Sequence, residues 1–373
     1  MVNVQKWTSI LETVTDLGIE CCQKMEKERN SSSTGNSGNT DNTTATEDDI
    51  QLDDGYNIPV STCDGNKKAL FIGINYFGSS AELRGCINDV ENIKAFITKT
   101  FNFPSDSNHM MTLTDDNKAD GLPTKTNIIN GMKWLVKNAQ SGDSLFLHYS
   151  GHGGSQKAGN PNDEADGMDE TLIPVDYEKN GVIIDNDIYD ILVQGLPEGV
   201  RLTAIMDCCH SGTIMDLPYT YGVDANDNVT ENDNRKALIQ AAIKAGMLLI
   251  SGNKKAALMA GIQAGALYFK NRREGQNDDN TKGESDITVR TALADVIQFS
   301  GCRDNQTSAD ASIGGESTGA MSWSFIKSFE ENGLNQTYVQ LLRNTRKNLH
   351  GKYSQVPQMS TGHRLDLNVP FKM

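Results

Sequence analysis

Two short stretches of this 373-residue chain carry side chains able to do chemistry together. Asp-Cys-Cys-His-Ser-Gly (207–212) closes an aliphatic run from Val200 to Met206, and Ser-Gly-His-Gly (150–153) closes another that begins at Asp143. Runs of this length and composition read as buried strands of a parallel sheet. In open α/β sheets the chemistry gathers just beyond the carboxyl ends of the strands. A cysteine there is a nucleophile when a base stands beside it, and imidazole is the commonest base. If both strands belong to one sheet, His152 and the cysteine pair emerge on a shared rim, as a Cys–His dyad requires. Side chains alternate along a strand, so only one of Cys208 and Cys209 can face His152. His148 and His210 are rival bases. The first lies within a strand and the second should point elsewhere, so both are expected to be structural. A zinc site built from Cys208, Cys209, His210 and His152 fits poorly around one tetrahedral ion. The glycine-rich turn at 151–154 lacks the Lys-Ser/Thr of a phosphate loop, which leaves nucleotide binding unsupported.

The elements that must position these residues alternate strand and helix. Strands are expected over Ala69–Asn75, Met110–Thr114, Asp143–Ser150 and Val200–Met206, with helices over Asp89–Phe101 and Thr124–Ala139 between them. Thr171–Asp176 and Val182–Asp185 suggest a hairpin, and Asp187–Gln194 a helix. A strand over Asp295–Ser300, helices near Met321–Glu331 and Thr337–Leu349, and a short strand around Arg364–Leu367 complete the series. This pattern specifies an α/β fold, a three-layer sandwich with a mostly parallel central sheet and helices on both faces.

With these residues in view, the chain resembles type I metacaspases, caspase-fold cysteine peptidases of protists, fungi and plants. His-Tyr-Ser-Gly-His-Gly (148–153) and Asp-Cys-Cys-His-Ser-Gly (207–212) are similar to the two family signatures, in the family's order. Ser-Gly-Cys-Arg-Asp-Asn-Gln-Thr-Ser-Ala-Asp (300–310) resembles the small-subunit motif, and the likeness runs from about Lys67 to the C-terminus. The animal caspase pattern Gln-Ala-Cys-x-Gly is absent. The resemblance implies a caspase-like sandwich with His152 as base and Cys209 as nucleophile. The N–H groups of Gly153 and Cys209 are the candidate oxyanion donors, a role contributing about 3 kcal/mol each. It further implies that Cys86, Asp89, Ser150 and Asp207 line the pocket for the residue before the cut. Desolvated carboxylates there favour Arg or Lys and repel Asp. Asp89 also suits a helix N-cap, and Asp207 a loop-orienting role.

Carboxylates crowd a second region. Asp163, Glu164, Asp166, Asp169 and Glu170 share one loop, with Asp185, Asn186, Asp187 and Asp216 expected near the same sheet edge. Clustered oxygen donors call for a hard cation, although the register is not that of an EF-hand. The metacaspase resemblance implies a Ca2+ site at Asp169, Asp185, Asn186 and Asp216. Asn186 stands where the family usually has aspartate, one charge fewer, which weakens the expected affinity.

Composition bounds the rest. The net charge of −15 argues against general nucleic-acid binding and suits basic peptide or protein substrates. Seven cysteines without framework spacing, and no export signal, read as reduced thiols in the cytoplasm, with the nucleus as an alternative. No run reaches the roughly 18 apolar residues of a membrane span. Acylation of Cys21 and Cys22 is a weaker idea than a short amphipathic helix over residues 4–27. An acidic surface and a blocked sheet edge favour a monomer. The chain divides into a pro-region at 1–62 with a polar linker, a large catalytic part at 63–223, an insertion at 224–293 and a small part at 294–373. Between Arg235 and Arg273 the insertion has eight Lys or Arg and no acidic residue. It reads as two weak amphipathic helices broken at Ser251-Gly-Asn253. Lys254, Lys255, Lys270, Arg272 and Arg273 are its candidate self-processing sites for an enzyme with an acidic pocket.

Overall fold

The computed structural model describes residues 60–116, 120–157, 168–208, 214–224, 228–233, 292–301, 310–313, 316–350 and 356–373. The expected N-terminal helix and linker, the basic stretch 235–273 with its five candidate processing sites, Cys209, His210 and most of the 300–310 motif lie outside them.

The strands are β1 Lys67–Gly73, β2 Met110–Thr114, β3 Ser144–Ser150, β4 Gly153–Lys157, β5 Met168–Leu172, β6 Ile183–Ile184, β7 Arg201–Asp207, β8 Tyr219–Val223, β9 Val229–Asp233, β10 Asp295–Ser300, β11 Asp310–Ile313, β12 Glu316–Gly319 and β13 Gln358–Thr361. The helices are α1 Cys86–Phe101, α2 Lys125–Val136, α3 Tyr177–Asn180, α4 Asp185–Leu192, α5 Ala320–Asn332 and α6 Tyr338–Leu349. The main sheet has the order β2-β1-β3-β7-β10-β13-β8-β9. Its members from β2 to β10 pair in parallel, and β13, β8 and β9 add antiparallel ladders. Alternation along β1 shows how the layers form. Leu70 and Ile72 join one apolar cluster with Ile128 and Met132 of α2 and Ile188 and Leu192 of α4. Ala69 and Phe71 join the other, with Ile93 and Ile97 of α1, Phe325 of α5 and Leu341 of α6. The sheet is therefore buried on both faces, in keeping with its largely apolar central strands. Among the described residues no helix is long and apolar enough to cross a membrane.

Local sequence explains the boundaries. Thr124 caps α2 by accepting from the Asn127 amide, and Thr337 with Gln340 forms a capping box on α6. α1 starts at Cys86, three residues before the expected Asp89, and its N-cap position is Gly85. Asp89 is thus a buried residue of the first turn, not the N-cap. Gly73 lets α1 lie close on β1, because a Cβ there would meet the Cys86 carbonyl oxygen at 2.9 Å. The expected hairpin is present in shorter form, Thr171 opposite Ile184 and Leu172 opposite Ile183, with β4 added on its other side. The last strand is Gln358–Thr361, not Arg364–Leu367. Paired on both edges, β13 tolerates small polar residues, whereas Leu365 and Leu367 reach the core from irregular backbone. The β8–β9 hairpin, which no pattern suggested, carries the sheet to Asp233, into the stretch expected as insertion.

A buried charge cluster ties the base of the sheet together. Arg201 at the start of β7 is fully buried and donates to Asp295 at the start of β10 (Nε–Oδ2 2.9 Å), to the Tyr338 hydroxyl (2.7 Å) and to the Lys372 carbonyl (2.8 Å). Asp295 also accepts from the Ser61 amide (3.0 Å) and faces His363 (3.3 Å). Burial alone would push the Asp295 carboxyl up, but Arg201 and His363 hold it below the usual carboxylate range.

Candidate active site

The chain leaves β1 through α1 to β2, then returns over β1 to β3. The strand order thus reverses between β1 and β3, and a crevice forms at their carboxyl ends. The segment after β1 supplies Asn75, Tyr76 and Ala81, and the segment after β3 supplies His152. The His152 ring lies on Tyr76 with centroids 4.7 Å apart, and its Nε2 is 2.8 Å from the Ala81 carbonyl oxygen. An acceptor at that distance makes Nε2 the protonated nitrogen and leaves Nδ1 as the basic one. The backbone of His152 is pinned as well. Its N–H donates to the Tyr76 hydroxyl (3.0 Å), and its carbonyl accepts from the Tyr149 hydroxyl (2.7 Å) and the Ile173 amide (3.2 Å). Burial pushes both phenols up, so they stay neutral donors. Asn75 fixes the loop that carries Ala81, accepting from the Leu83 amide on its carbonyl and from the Cys86 amide on its side chain (3.1 Å).

Ser150 and Asp207, the last residues of β3 and β7, are register partners. The two strands therefore end level, and Cys209 follows Asp207 by two positions just outside the described residues. Cys208 is fully buried in the core cluster that also holds Tyr149, so this cysteine faces inward. His148 is fully buried too. Burial pushes its imidazole down to about 3, and Nε2 lies 2.9 Å from the Ser322 hydroxyl, a structural placement for a neutral ring.

Of the four residues expected around the substrate side chain, three are joined directly or through α5. Asp89 accepts from the Ser150 hydroxyl (2.7 Å) and from the Gly319 amide (2.6 Å). Asp207 accepts from the Ser322 amide (2.8 Å). Cys86 is a buried cysteine outside any disulfide, one helical turn before Asp89. Gly153 opens β4 opposite Leu172, next to His152.

The expected cation ligands lie on β5, α4 and the segment before β8. Asp169 and Asp185 are buried, and the Glu170 amide donates to Asp185 (2.8 Å). Burial, and then the Asp216 carboxylate, push Asp185 up to about 6. Asp216 adopts a left-handed backbone with φ of 49°. Among the described residues no three His, Cys, Asp or Glu side chains gather within reach of one ion, and Asp163, Glu164 and Asp166 lie outside those residues. Sequence reasoning missed Tyr76, Ala81, Asn75, Gly319 and Ser322. Asn-Tyr directly after an apolar strand was a usable signal. Ala81, Gly319 and Ser322 act here through backbone groups that residue type does not advertise.

An α/β sandwich with an imidazole pinned at its switch point, level with the strand that leads to Cys208-Cys209, defines a candidate thiol hydrolase of caspase-like architecture. The comparisons make that class specific. Residues 67–218 match the family described as metacaspase, peptidase C14 domain. Metacaspase-1 of Eremothecium gossypii is 47% identical over 312 residues, spanning 83% of this chain and 67% of the relative. Metacaspase-1 of Saccharomyces cerevisiae is 46% identical over 320 residues (84% and 70%), and that of Botryotinia fuckeliana 44% over 320 residues (86% and 73%). The chain belongs to the metacaspase family and is a cysteine peptidase. A solved structure, protein GSU0716 from Geobacter sulfurreducens, aligns at 22% identity and a TM-score of 0.49 over 83% of this chain and 99% of that one, too loosely to add to this.

Proposed function

We propose that the chain is a calcium-dependent endopeptidase that cuts after Arg or Lys, with Cys209 as nucleophile and His152 as base. The observation that carries the specificity is the gathering of two buried carboxylates, Asp89 and Asp207, with Ser150, at the strand ends beside His152. Nδ1 of His152 takes the thiol proton as Cys209 adds to the scissile carbonyl. The oxyanion is met by the Gly153 and Cys209 amides. The same nitrogen then protonates the leaving amine, the C–N bond breaks, and water hydrolyses the thioester. Ala81 and Tyr76 support this reading by holding the ring in one tautomer and plane.

Calcium is proposed on donor chemistry. Asp169, Asp185, Asn186 and Asp216 can each offer a carboxyl or carbonyl oxygen, and a hard cation would relieve the crowding of Asp185 by Asp216, the three aspartates closing up around it from their present spacing. Bound there, the ion would neutralise the carboxylates and brace β5 against the β6–α4 junction. The same preference extends to the chain itself, at Lys254, Lys255, Lys270, Arg272 or Arg273.

The test is hydrolysis of short Arg-, Lys- and Asp-ended reporter peptides, with calcium and with chelator. Cleavage after Arg and Lys alone, abolished by chelator and by Cys209→Ala, is expected. Cleavage after Asp, or equal rates in chelator, overturns the specificity or the calcium dependence respectively.

A further inference from the structure

Besides the Ser150 hydroxyl on Asp89, each pocket carboxylate has a main-chain donor, and both of those amides come from one place. The Gly319 amide holds Asp89 and the Ser322 amide holds Asp207, so the junction of β12 and α5 spans both. A Cβ built on Gly319 would collide with Oδ2 of Asp207 and lie 2.7 Å from Oδ2 of Asp89. The space between the carboxylates therefore has no room for a methyl group, and still less for a guanidinium. Asp89 is 1% and Asp207 4% exposed, so neither is open to a side chain arriving from solvent.

We infer that Gly319 and Ser322 are specificity-determining positions: their amides occupy the carboxylates, and a basic side chain reaches these only by displacing the β12–α5 junction. The inference rests on the reading of Asp89 and Asp207 as the Arg/Lys pocket, and adds how that pocket opens. The first amides of a helix have no partner within it, so releasing them breaks caps and leaves the helix ladder intact. Phe325 and Phe329 hold the body of α5 in the aromatic core, which confines the displacement to its first turn. A guanidinium or ammonium replaces two neutral donors with stronger, charge-assisted ones. A neutral side chain of the same shape offers no charge in exchange and would cost each buried carboxylate its main-chain donor, the Ser150 hydroxyl remaining on Asp89. Selectivity then arises from the displacement itself as much as from the contacts made after it.

Hydrogen exchange on the full-length Cys209→Ala chain in calcium tests this. The probes are an arginine-containing peptide and the same peptide with citrulline, an uncharged isostere, with binding followed by fluorescence anisotropy. At saturation the arginine peptide is expected to speed exchange of the Gly319–Ser322 amides at least tenfold, and citrulline to leave them protected. If the arginine peptide saturates while those amides stay equally or better protected, the displacement is overturned although the basic pocket stands. If arginine binds no more tightly than citrulline, the basic-pocket reading has failed and the inference falls with it.

Discussion

Ser150 and Asp207 face each other across the β3–β7 ladder as the terminal residues of their strands. Each is linked to a different neighbour. Ser150 donates to Asp89 of α1, and Asp207 accepts from Ser322 of α5. One register contact thus fixes where two acidic groups from separate elements stand relative to the rim that bears His152.

Asp89→Asn and Asp207→Asn are expected to lower kcat/KM for Arg-ended reporters by roughly 100-fold each, about 2.7 kcal/mol of lost charge-assisted binding. The control is any residual activity on a Leu-ended reporter. An equal fall on both reporters assigns the carboxylates to folding and not to substrate choice.

Tyr149→Phe removes the hydroxyl that donates to the His152 carbonyl. A drop in kcat of about tenfold with little change in KM is expected, with a stability loss of ~1 kcal/mol for the lost hydrogen bond, because the carbonyl keeps the Ile173 amide. Steady-state kinetics beside a urea melt separates the two effects, and an unchanged kcat would remove the tyrosine from ring positioning.

His148 gives stability a pH signature. Its folded value is depressed to about 3 by burial, from an ordinary 6.5, so only the unfolded chain takes up a proton between those limits. The stabilising contribution is whole above pH 6.5 and drains as pH falls toward 3, at about 1.4 kcal/mol per unit. Denaturant melts of the parent and of His148→Gln should differ in slope by one proton across that window. Identical slopes contradict a neutral buried ring.

Cutting the chain between β9 and β10 should not release the pieces. β10 and β13 lie between β7 and β8, so strands from after the insertion are flanked on both sides by strands from before it. Arg201 also clamps Asp295, Tyr338 and Lys372 across the same cut, and breaking such a buried pair costs about 3–5 kcal/mol. Protein nicked within 234–291 should show two bands on a denaturing gel and one native mass. Separation without denaturant contradicts the interleaving.

Asn186→Asp restores a fourth carboxylate-bearing ligand position to the proposed calcium site and should tighten binding by about tenfold, or 1.4 kcal/mol. Titration calorimetry on both proteins decides. Equal affinities, or no calcium heat in either, count against Asn186 as a ligand.

The parallel part of the fold was legible because β1, β3 and β7 carry largely apolar runs with no polar alternation, which suit a doubly covered sheet. The antiparallel margin was not. Gln-Met-Ser-Thr in β13 lacks hydrophobic alternation, since ladders on both of its edges supply the order that side chains elsewhere must provide. At the site, His152 announced itself by type and by its place at a strand end, whereas Asp89 and Asp207 were implied only by the metacaspase resemblance. Asp89 was nevertheless given an N-cap alternative, because its sequence neighbours could not reveal that Gly85 takes that position. The donors that hold the pocket closed are main-chain groups more than a hundred residues from Asp207, and no local pattern encodes a contact of that range.

The order of strands in the sheet also sets a schedule for synthesis. A ribosome that has translated everything through Asp233 has delivered His152 and Asp207, yet β8 and β9 still await β13, and β7 lacks β10 on its open edge. The nascent chain therefore holds His152 long before it has a finished sheet, and stays incomplete until β10 and then β13 are made.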